Sequence, residues 1–130
     1  MIVVDSSALL ELLLNSTRGR RLQPRFFSPE QIVCAPHLVD VEVAQVLRRY
    51  AWKGEVDPER CDEALSDLSS LPIHRYPHSP LLPRIWMLRR DLTAYDAVYV
   101  ALAEMLNAPL VTADRRLTAS PGHAALIELL

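Results

Sequence analysis

The 130-residue chain is poor in the residues on which several common kinds of functional site depend. Its two cysteines, Cys34 and Cys61, have no metal-type or redox spacing, so we assign both to packing. Its three glycines form no phosphate-cradling loop, its histidines lack zinc-site spacing, and no serine lies in a G-x-S-x-G elbow. These absences exclude nucleotide-binding, zinc-enzyme and serine-hydrolase functions of those types.

Long apolar runs are also missing. No stretch approaches the roughly 18 residues of a membrane span, because acids such as Glu11 and Glu104 interrupt the longest candidates. No basic leader precedes the first apolar run, so we expect no signal peptide and a cytoplasmic location. With half of its residues apolar, the chain is predicted to form one domain over residues 1–130.

The formal charge of −2 argues against a protein that holds nucleic acid by an overall positive field. Thirteen of the fourteen basic residues are arginines, and several are adjacent pairs, such as Arg89-Arg90 and Arg115-Arg116. Arginine suits bidentate contact with phosphate, but paired charges are also ordinary on solvated helix faces. Both interpretations stay open for each pair.

Short apolar runs alternate with segments of helical periodicity. The runs predict strands at Ile2–Val4, Gln31–Ala35, Ile73–Tyr76, Leu110–Thr112 and Ala125–Leu130. Helical spacing and capping residues predict helices at Ala8–Leu14, Thr17–Phe27, His37–Trp52, Asp57–Ser70, Ser79–Arg90 and Thr93–Leu106. Gly19 and Pro24 weaken the second helix. The pattern indicates a three-layer α/β/α sandwich around a mainly parallel sheet.

Two aspartates, Asp5 and Asp114, follow predicted strands. Ligands bind beyond the carboxyl ends of such strands, and on adjacent parallel strands the two acids would share one rim. Each has an ordinary alternative, since Asp5 can cap the next helix and Asp114 can begin a turn. Ser6 and Ser7 can cap that helix equally well, which would free Asp5 for another role.

Further acids lie on predicted helices. Asp96 ends the capping-box pattern Thr93-Ala94-Tyr95-Asp96, so a cap and a site role are both open. Glu42 lies at one margin of the apolar arc of its helix and Asp40 near the other, so periodicity does not choose between them. A rim ion pair between Glu42 and an arginine such as Arg49 is the ordinary alternative.

Several acids at one rim imply a cation. They would repel one another and raise their own pKa values unless a cation lay among them. Ligand sets made of oxygen alone favour a hard ion, Mg²⁺ or Mn²⁺.

Four blocks of the sequence together resemble the PIN-domain family, and more narrowly the VapC-type toxins of prokaryotic toxin–antitoxin pairs. The blocks are Met1–Leu9, Val41–Arg49, Leu92–Ala103 and Leu110–Asp114, and with their spacing they cover nearly the whole chain. The resemblance places the four acids of the family on Asp5, Glu42, Asp96 and Asp114, with Ser6 and Thr112 as the small hydroxyl residues beside them. It therefore selects Glu42 over Asp40.

The resemblance implies an endoribonuclease in which these four carboxylates are the catalytic and metal-binding residues, with Mg²⁺ or Mn²⁺ as cofactor. It also implies a homodimer, and a VapB-type antitoxin that covers the acidic groove in a toxin–antitoxin hetero-oligomer. Candidates for guiding the RNA backbone are Arg89, Arg115 and Arg116.

Two positions depart from the family pattern. Gln45 stands where many relatives have asparagine, and Arg115-Arg116 stand where some have a further carboxylate. We therefore expect one bound ion and leave a second open.

Two other functions compete with this prediction. The four retained acids argue against a non-catalytic PIN-like module that binds protein or RNA. An aspartate phosphatase needs a second acid where Ser7 stands, and a phosphoreceiver domain needs a late lysine, whereas the only lysine is Lys53. Phosphotransfer is therefore the weaker of the two.

Overall fold

A five-stranded parallel sheet forms the centre of the fold. The computed structural model describes all 130 residues. Its strands are β1 (Ile2–Val4), β2 (Val33–Pro36), β3 (Ile73–Tyr76), β4 (Leu110–Thr112) and β5 (Ile127–Leu129). All four pairings are parallel, in the order β3-β2-β1-β4-β5. The predicted parallel α/β architecture is confirmed.

Seven helices connect the strands. They are α1 (Ser6–Leu13), α2 (Thr17–Phe26), α3 (Leu38–Lys53), α4 (Pro58–Ser70), α5 (Leu82–Met87), α6 (Ala94–Leu106) and α7 (Arg115–Thr118). Because parallel crossovers are right-handed, α1 to α4 cover one face of the sheet. The chain then reverses direction across the sheet between β3 and β4, so α5 and α6 cover the other face. This is the predicted three-layer sandwich.

The reversal makes β1 and β4 neighbours, although more than 100 residues separate them in sequence. Val3 pairs with Leu110 and Val4 with Val111, and the Asp5 N–H continues the ladder to the Val111 carbonyl at 3.3 Å. Ligands of doubly wound sheets bind where strand order reverses, outside the carboxyl ends of the strands. The topology therefore brings the residues after β1 and β4 to the expected functional edge.

One hydrophobic core of 32 buried residues holds the layers together. Every residue of β1, β2 and β4 is buried, as expected for central parallel strands covered on both faces. Cys34 and Cys61 are buried and unpaired, which confirms their assignment to packing. No helix of the fold combines the length and the apolar character needed to cross a membrane.

The second helix forms despite Gly19 and Pro24. A side chain at Gly19 would overlap the backbone of Glu11, so glycine here lets α2 lie directly against α1. Leu22 and Phe26 on the same helix are buried. Tertiary packing thus outweighs the low helix propensity of the two residues.

Other boundaries differ from the predicted ones. The helix predicted over Ser79–Arg90 is a 3-10 turn, Ser79–Leu81, followed by the six-residue α5. Pro80 and Pro83 lack the N–H that a continuous helix needs, and each stands at the start of its short segment, where that loss is tolerated. Strand β2 begins at Val33 and includes Pro36, β5 is shorter than predicted, and α7 was not predicted from the sequence.

Candidate active site

Asp5 lies at the end of β1 with its side chain almost fully buried, at 7% exposure. Its carboxylate accepts hydrogen bonds from the Ala8 N–H at 3.0 Å, the Ser7 hydroxyl at 2.6 Å and the Thr112 hydroxyl at 2.5 Å. Asp5 is therefore itself the N-cap of α1. Of the caps that the sequence left open, the structure has Asp5 and not the following serines, because both serines lie inside the first turn. Capping and a place at the site are combined in one side chain.

Ser7 and Thr112 join the ends of β1 and β4 around this carboxylate. The Ser7 Oγ accepts a bond from the Ala113 N–H at 2.8 Å, and the Thr112 Oγ1 accepts one from the Asp114 N–H at 2.9 Å. Thr112 is completely buried. The sequence pointed to Thr112 and Ser6 as supports but missed Ser7, whose only signal was its hydroxyl two residues after a strand aspartate.

Asp114 follows β4 and caps the short helix α7. Its Oδ1 accepts the Arg116 N–H at 3.0 Å, and the Arg116 guanidinium contacts both carboxylate oxygens. The hydrogen bonds and charge of Arg116 lower the pKa of Asp114. The arginine pair noted in the sequence thus has one member bound directly to a site carboxylate.

Glu42 lies on α3 and faces the site. Its Oε1 accepts a hydrogen bond from the Tyr99 hydroxyl on α6. Asp40, the alternative on the same helix, instead forms a two-point ion pair with Arg75 of β3, at 2.7 and 2.8 Å. The structure therefore separates the two acids that periodicity left open, and the ion pair between Glu42 and Arg49 does not form.

Asp96 lies in the first turn of α6, half-buried. The Thr93 hydroxyl caps this helix by accepting the Asp96 N–H at 3.1 Å. The cap predicted from the sequence therefore forms through Thr93 and the backbone. Tyr99 lies three residues further along α6, and this spacing puts it on the same face as Asp96.

The four carboxylates influence one another electrostatically. Burial raises the pKa of Asp5, Glu42 and Asp96, and neighbouring carboxylates raise it further. The charge of Asp114 raises the pKa of Asp5 and of Asp96. The charges of Asp5 and Asp96 raise the pKa of Glu42. Each of the four acids thus interacts with the charge of at least one other, and the resulting excess of negative charge favours a cation.

Oxygen donors of this kind match a hard divalent ion. No three carboxylate, histidine or cysteine groups of the structure, however, lie close enough together to hold one metal. Three of the four acids, Asp5, Glu42 and Asp114, already accept hydrogen bonds from other groups of the protein, such as the Arg116 guanidinium on Asp114. The chemistry of the donor set, four carboxylates without histidine or cysteine, fits Mg²⁺ or Mn²⁺.

The other arginines predicted to guide RNA form no ion pair with the four carboxylates. The Arg89 guanidinium carbon is 4.7 Å from the centroid of the Trp86 ring, and the same side chain donates to the Trp86 carbonyl. Arg115 is exposed on α7 and forms no salt bridge. Their role in RNA binding stays a prediction.

Comparison with known proteins places the chain in a family. The PIN domain profile matches residues 2–121. Ribonuclease VapC1 of Mycobacterium tuberculosis is 43% identical over 129 residues, covering 98% of this chain and 96% of the relative. A solved structure, PAE2754 from Pyrobaculum aerophilum, covers 97% of this chain and 81% of its own at a TM-score of 0.75 and 28% identity.

A toxin–antitoxin complex from Klebsiella pneumoniae has the same fold, with a TM-score of 0.62 at 20% identity, covering 92% of this chain and 91% of the matched chain. The match to the profile and the similarity along the full length of a curated relative agree with the site geometry. The chain therefore belongs to the PIN-domain family and, within it, to the VapC group.

Proposed function

We propose that this chain is a metal-dependent endoribonuclease, the toxin of a VapBC-type toxin–antitoxin pair. The observation that supports the proposal is the electrostatic interaction among Asp5, Glu42, Asp96 and Asp114 near the edge of the sheet where strand order reverses. Three of these acids have raised pKa values, as expected for a site built to receive positive charge. The ribonuclease name of the 43% identical relative supports the same activity.

Asp5, Asp96 and Asp114 would hold one Mg²⁺ or Mn²⁺ ion, with Glu42 binding it directly or through water. When bound, the ion supplies positive charge to the phosphate oxygens and lowers the pKa of the attacking water. In-line hydrolysis of the phosphodiester then leaves a 5′ phosphate and a 3′ hydroxyl.

Glu42 orients the attacking water and accepts its proton. Burial raises the pKa of this carboxyl, which brings its proton affinity closer to the working range of a general base. The Tyr99 phenol holds the carboxylate in place, and burial raises its own pKa, so it stays a donor. Ser7 and Thr112 fix the Asp5 side chain in one orientation between the two strands.

The test is cleavage of a fluorogenic RNA in Mn²⁺, with EDTA as the metal-free reference. Asp5→Asn and Glu42→Gln are each expected to lower kcat/KM by at least 100-fold, the usual scale for losing a catalytic acid or base. Asp40→Asn is the matched control, since it lies two residues from Glu42 but pairs with Arg75. Undiminished Mn²⁺-dependent cleavage by Asp5→Asn would overturn the assignment.

Metal binding has a readout that does not depend on cleavage. At about 100 times its Kd, an ion that binds only the folded chain stabilises it by about 2.7 kcal/mol. Mn²⁺ is therefore expected to raise the melting temperature of the wild type but not that of Asp5→Asn. A PIN-like module without catalytic function would show no such rise.

We also propose a VapB-type antitoxin as partner and a homodimer as the free state. The Klebsiella structure, named as a toxin–antitoxin complex, supports the first. Several large apolar side chains that are more than half exposed, among them Trp86 and Met87 on α5, support the second. Sedimentation of the purified chain, alone and with the product of an adjacent short reading frame, tests both.

A further inference from the structure

A cleft of about 510 Å³ opens beside the carboxylates. Ser6, Ser7 and Asp114 line it at the site, and Leu14 lines it beyond the other end of α1. Arg49 and Tyr50 of α3 form part of its opposite wall. We call it the α1–α3 cleft. At 1.5 Å per residue, the eight residues of α1 give it a length of about 12 Å.

The charges along the α1–α3 cleft are unevenly satisfied. Glu11 is held by the Ser16 hydroxyl and lies 3.9 Å from the Arg18 guanidinium. Asp114 is paired with Arg116. Arg49 forms no salt bridge, and its guanidinium carbon lies 5.9 Å from the centroid of the Tyr50 ring. Of the two arginines that line the cleft, Arg49 is therefore the one without a carboxylate partner.

Arg49 and Tyr50 together suit a nucleotide. A guanidinium offers two parallel donors to a phosphate, and an aromatic ring stacks on any base. Asp114 belongs to the candidate active site and also lines the α1–α3 cleft, so a strand whose scissile phosphate lies at Asp114 can extend along the cleft to Arg49 and Tyr50. A nucleotide uses both groups at once, with its phosphate on the guanidinium and its base on the ring.

We propose that the α1–α3 cleft binds the RNA nucleotide flanking the scissile bond, with Arg49 on its phosphate and Tyr50 against its base. This rests on the proposed ribonuclease function and adds Arg49 and Tyr50 to the candidate RNA-binding residues. It differs from the earlier expectation for Arg89, Arg115 and Arg116, none of which lines the cleft.

The experiment measures RNA affinity without cleavage. A fluorescein-labelled single-stranded RNA is titrated in EDTA with wild type, Arg49→Ala, Tyr50→Ala and Arg48→Ala, and Kd is followed by anisotropy across a range of salt. Arg48 is the matched control, because it is an exposed arginine next to Arg49 that does not line the cleft. Thermal melts verify that each variant is folded, and Tyr50→Phe keeps the ring if Tyr50→Ala is unstable.

Arg49→Ala is expected to weaken binding about tenfold and to reduce the slope of log K against log salt by about 0.7, the loss of one phosphate contact. Tyr50→Ala is expected to weaken binding by a similar factor with the slope unchanged, and Tyr50→Phe to bind as the wild type. Arg48→Ala should match the wild type in both quantities. In Mn²⁺, the Arg49 variant should raise KM far more than it lowers kcat.

Equal Kd values and slopes for Arg49→Ala and Arg48→Ala would overturn the inference. A second result would also overturn it: the Arg49→Ala variant binds RNA normally but no longer binds a co-expressed antitoxin. The cleft would then be a protein-binding site. Failure of the wild type to cleave RNA in Mn²⁺ would instead reject the proposed function. The RNA titration in EDTA still tests whether the α1–α3 cleft binds RNA, because it does not depend on cleavage.

Discussion

The Arg116 guanidinium donates two hydrogen bonds to the Asp114 carboxylate, from Nε to Oδ1 at 3.2 Å and from Nη2 to Oδ2 at 2.9 Å. One of the four site carboxylates is thus neutralised by a cation from its own helix. The Arg116 side chain is 89% exposed, so the pair can open without disturbing the core. The guanidinium thus supplies Asp114 with the positive charge that a divalent ion would supply.

Arg116→Ala should therefore increase the affinity of the site for Mn²⁺. Removing the guanidinium frees both oxygens of Asp114, and an exposed ion pair of this kind changes affinity by about two- to fivefold. Isothermal titration calorimetry of the metal-free protein measures the change.

The neighbouring variant Arg115→Ala serves as the control, because it removes the same formal charge without touching a carboxylate. An equal gain in both variants would attribute the effect to net charge alone, and an unchanged Kd in Arg116→Ala would contradict the competition.

Tyr99→Phe should shift the pH dependence of cleavage. The hydrogen bond from Tyr99 lowers the pKa of Glu42, which burial otherwise raises. Without the phenol, that pKa moves further up, so the ionised form required of a base appears only at higher pH. The acid limb of a plot of kcat/KM against pH is expected to move toward higher pH.

Tyr95→Phe is the matched control for this measurement, because Tyr95 lies on the same helix but is 65% exposed. If the acid limbs of Tyr99→Phe and the wild type coincide, the hydrogen bond from Tyr99 does not set the pKa of Glu42.

Strand-end placement made the positions of two candidate site residues predictable from the sequence. Asp5 and Asp114 follow short apolar runs, and parallel strands that become neighbours bring such residues to one edge. The helix cap at Thr93 could also be predicted, because its signal lies within four residues. Local patterns thus sufficed wherever the decisive contacts are local.

Glu42 could not be chosen over Asp40 from the periodicity of α3. Both lie at margins of the apolar arc, and what separates them is the partner across the fold, Tyr99 for one and Arg75 for the other. Those partners lie 57 and 35 residues away in sequence. Single-sequence periodicity carries no information on such long-range pairing, and here the family resemblance made the choice.

Gly19→Ala should destabilise the fold, although alanine normally favours a helix. A Cβ at this position would overlap the Glu11 carbonyl, so α2 would have to move away from α1. Overpacking of this kind costs about 1–3 kcal/mol. Urea denaturation followed by circular dichroism measures the loss.

Arg21→Ala, an exposed position on the same helix, is expected to change stability by no more than about 0.5 kcal/mol. A stabilised Gly19→Ala variant would mean that helix propensity, and not the close approach of α1 and α2, dominates at this residue.

Glu104 on α6 ties α5 and the C-terminal segment together. Its carboxylate accepts bonds from Arg84 at 2.7 and 3.0 Å and from the Ala124 N–H at 3.0 Å. The hydrogen bonds from Arg84 are the largest cause of its lowered pKa. Because the folded pKa lies below the ordinary value of 4.5, the ionised form stabilises the fold above that pH.

Glu104→Gln should therefore lower the free energy of unfolding at about pH 7 by about 1 kcal/mol, since the pair is only partly exposed. As pH falls below 4.5 and through the lowered folded pKa, the wild type gains the proton and its advantage disappears. Urea denaturation of both proteins across this range follows the difference, in which shared effects of the other acids cancel. Glu30→Gln, which removes an exposed and unpaired carboxylate, should show almost no difference at any pH. If the difference for Glu104→Gln stays constant as the solution is acidified, the stabilisation comes from side-chain packing and not from the charge of Glu104.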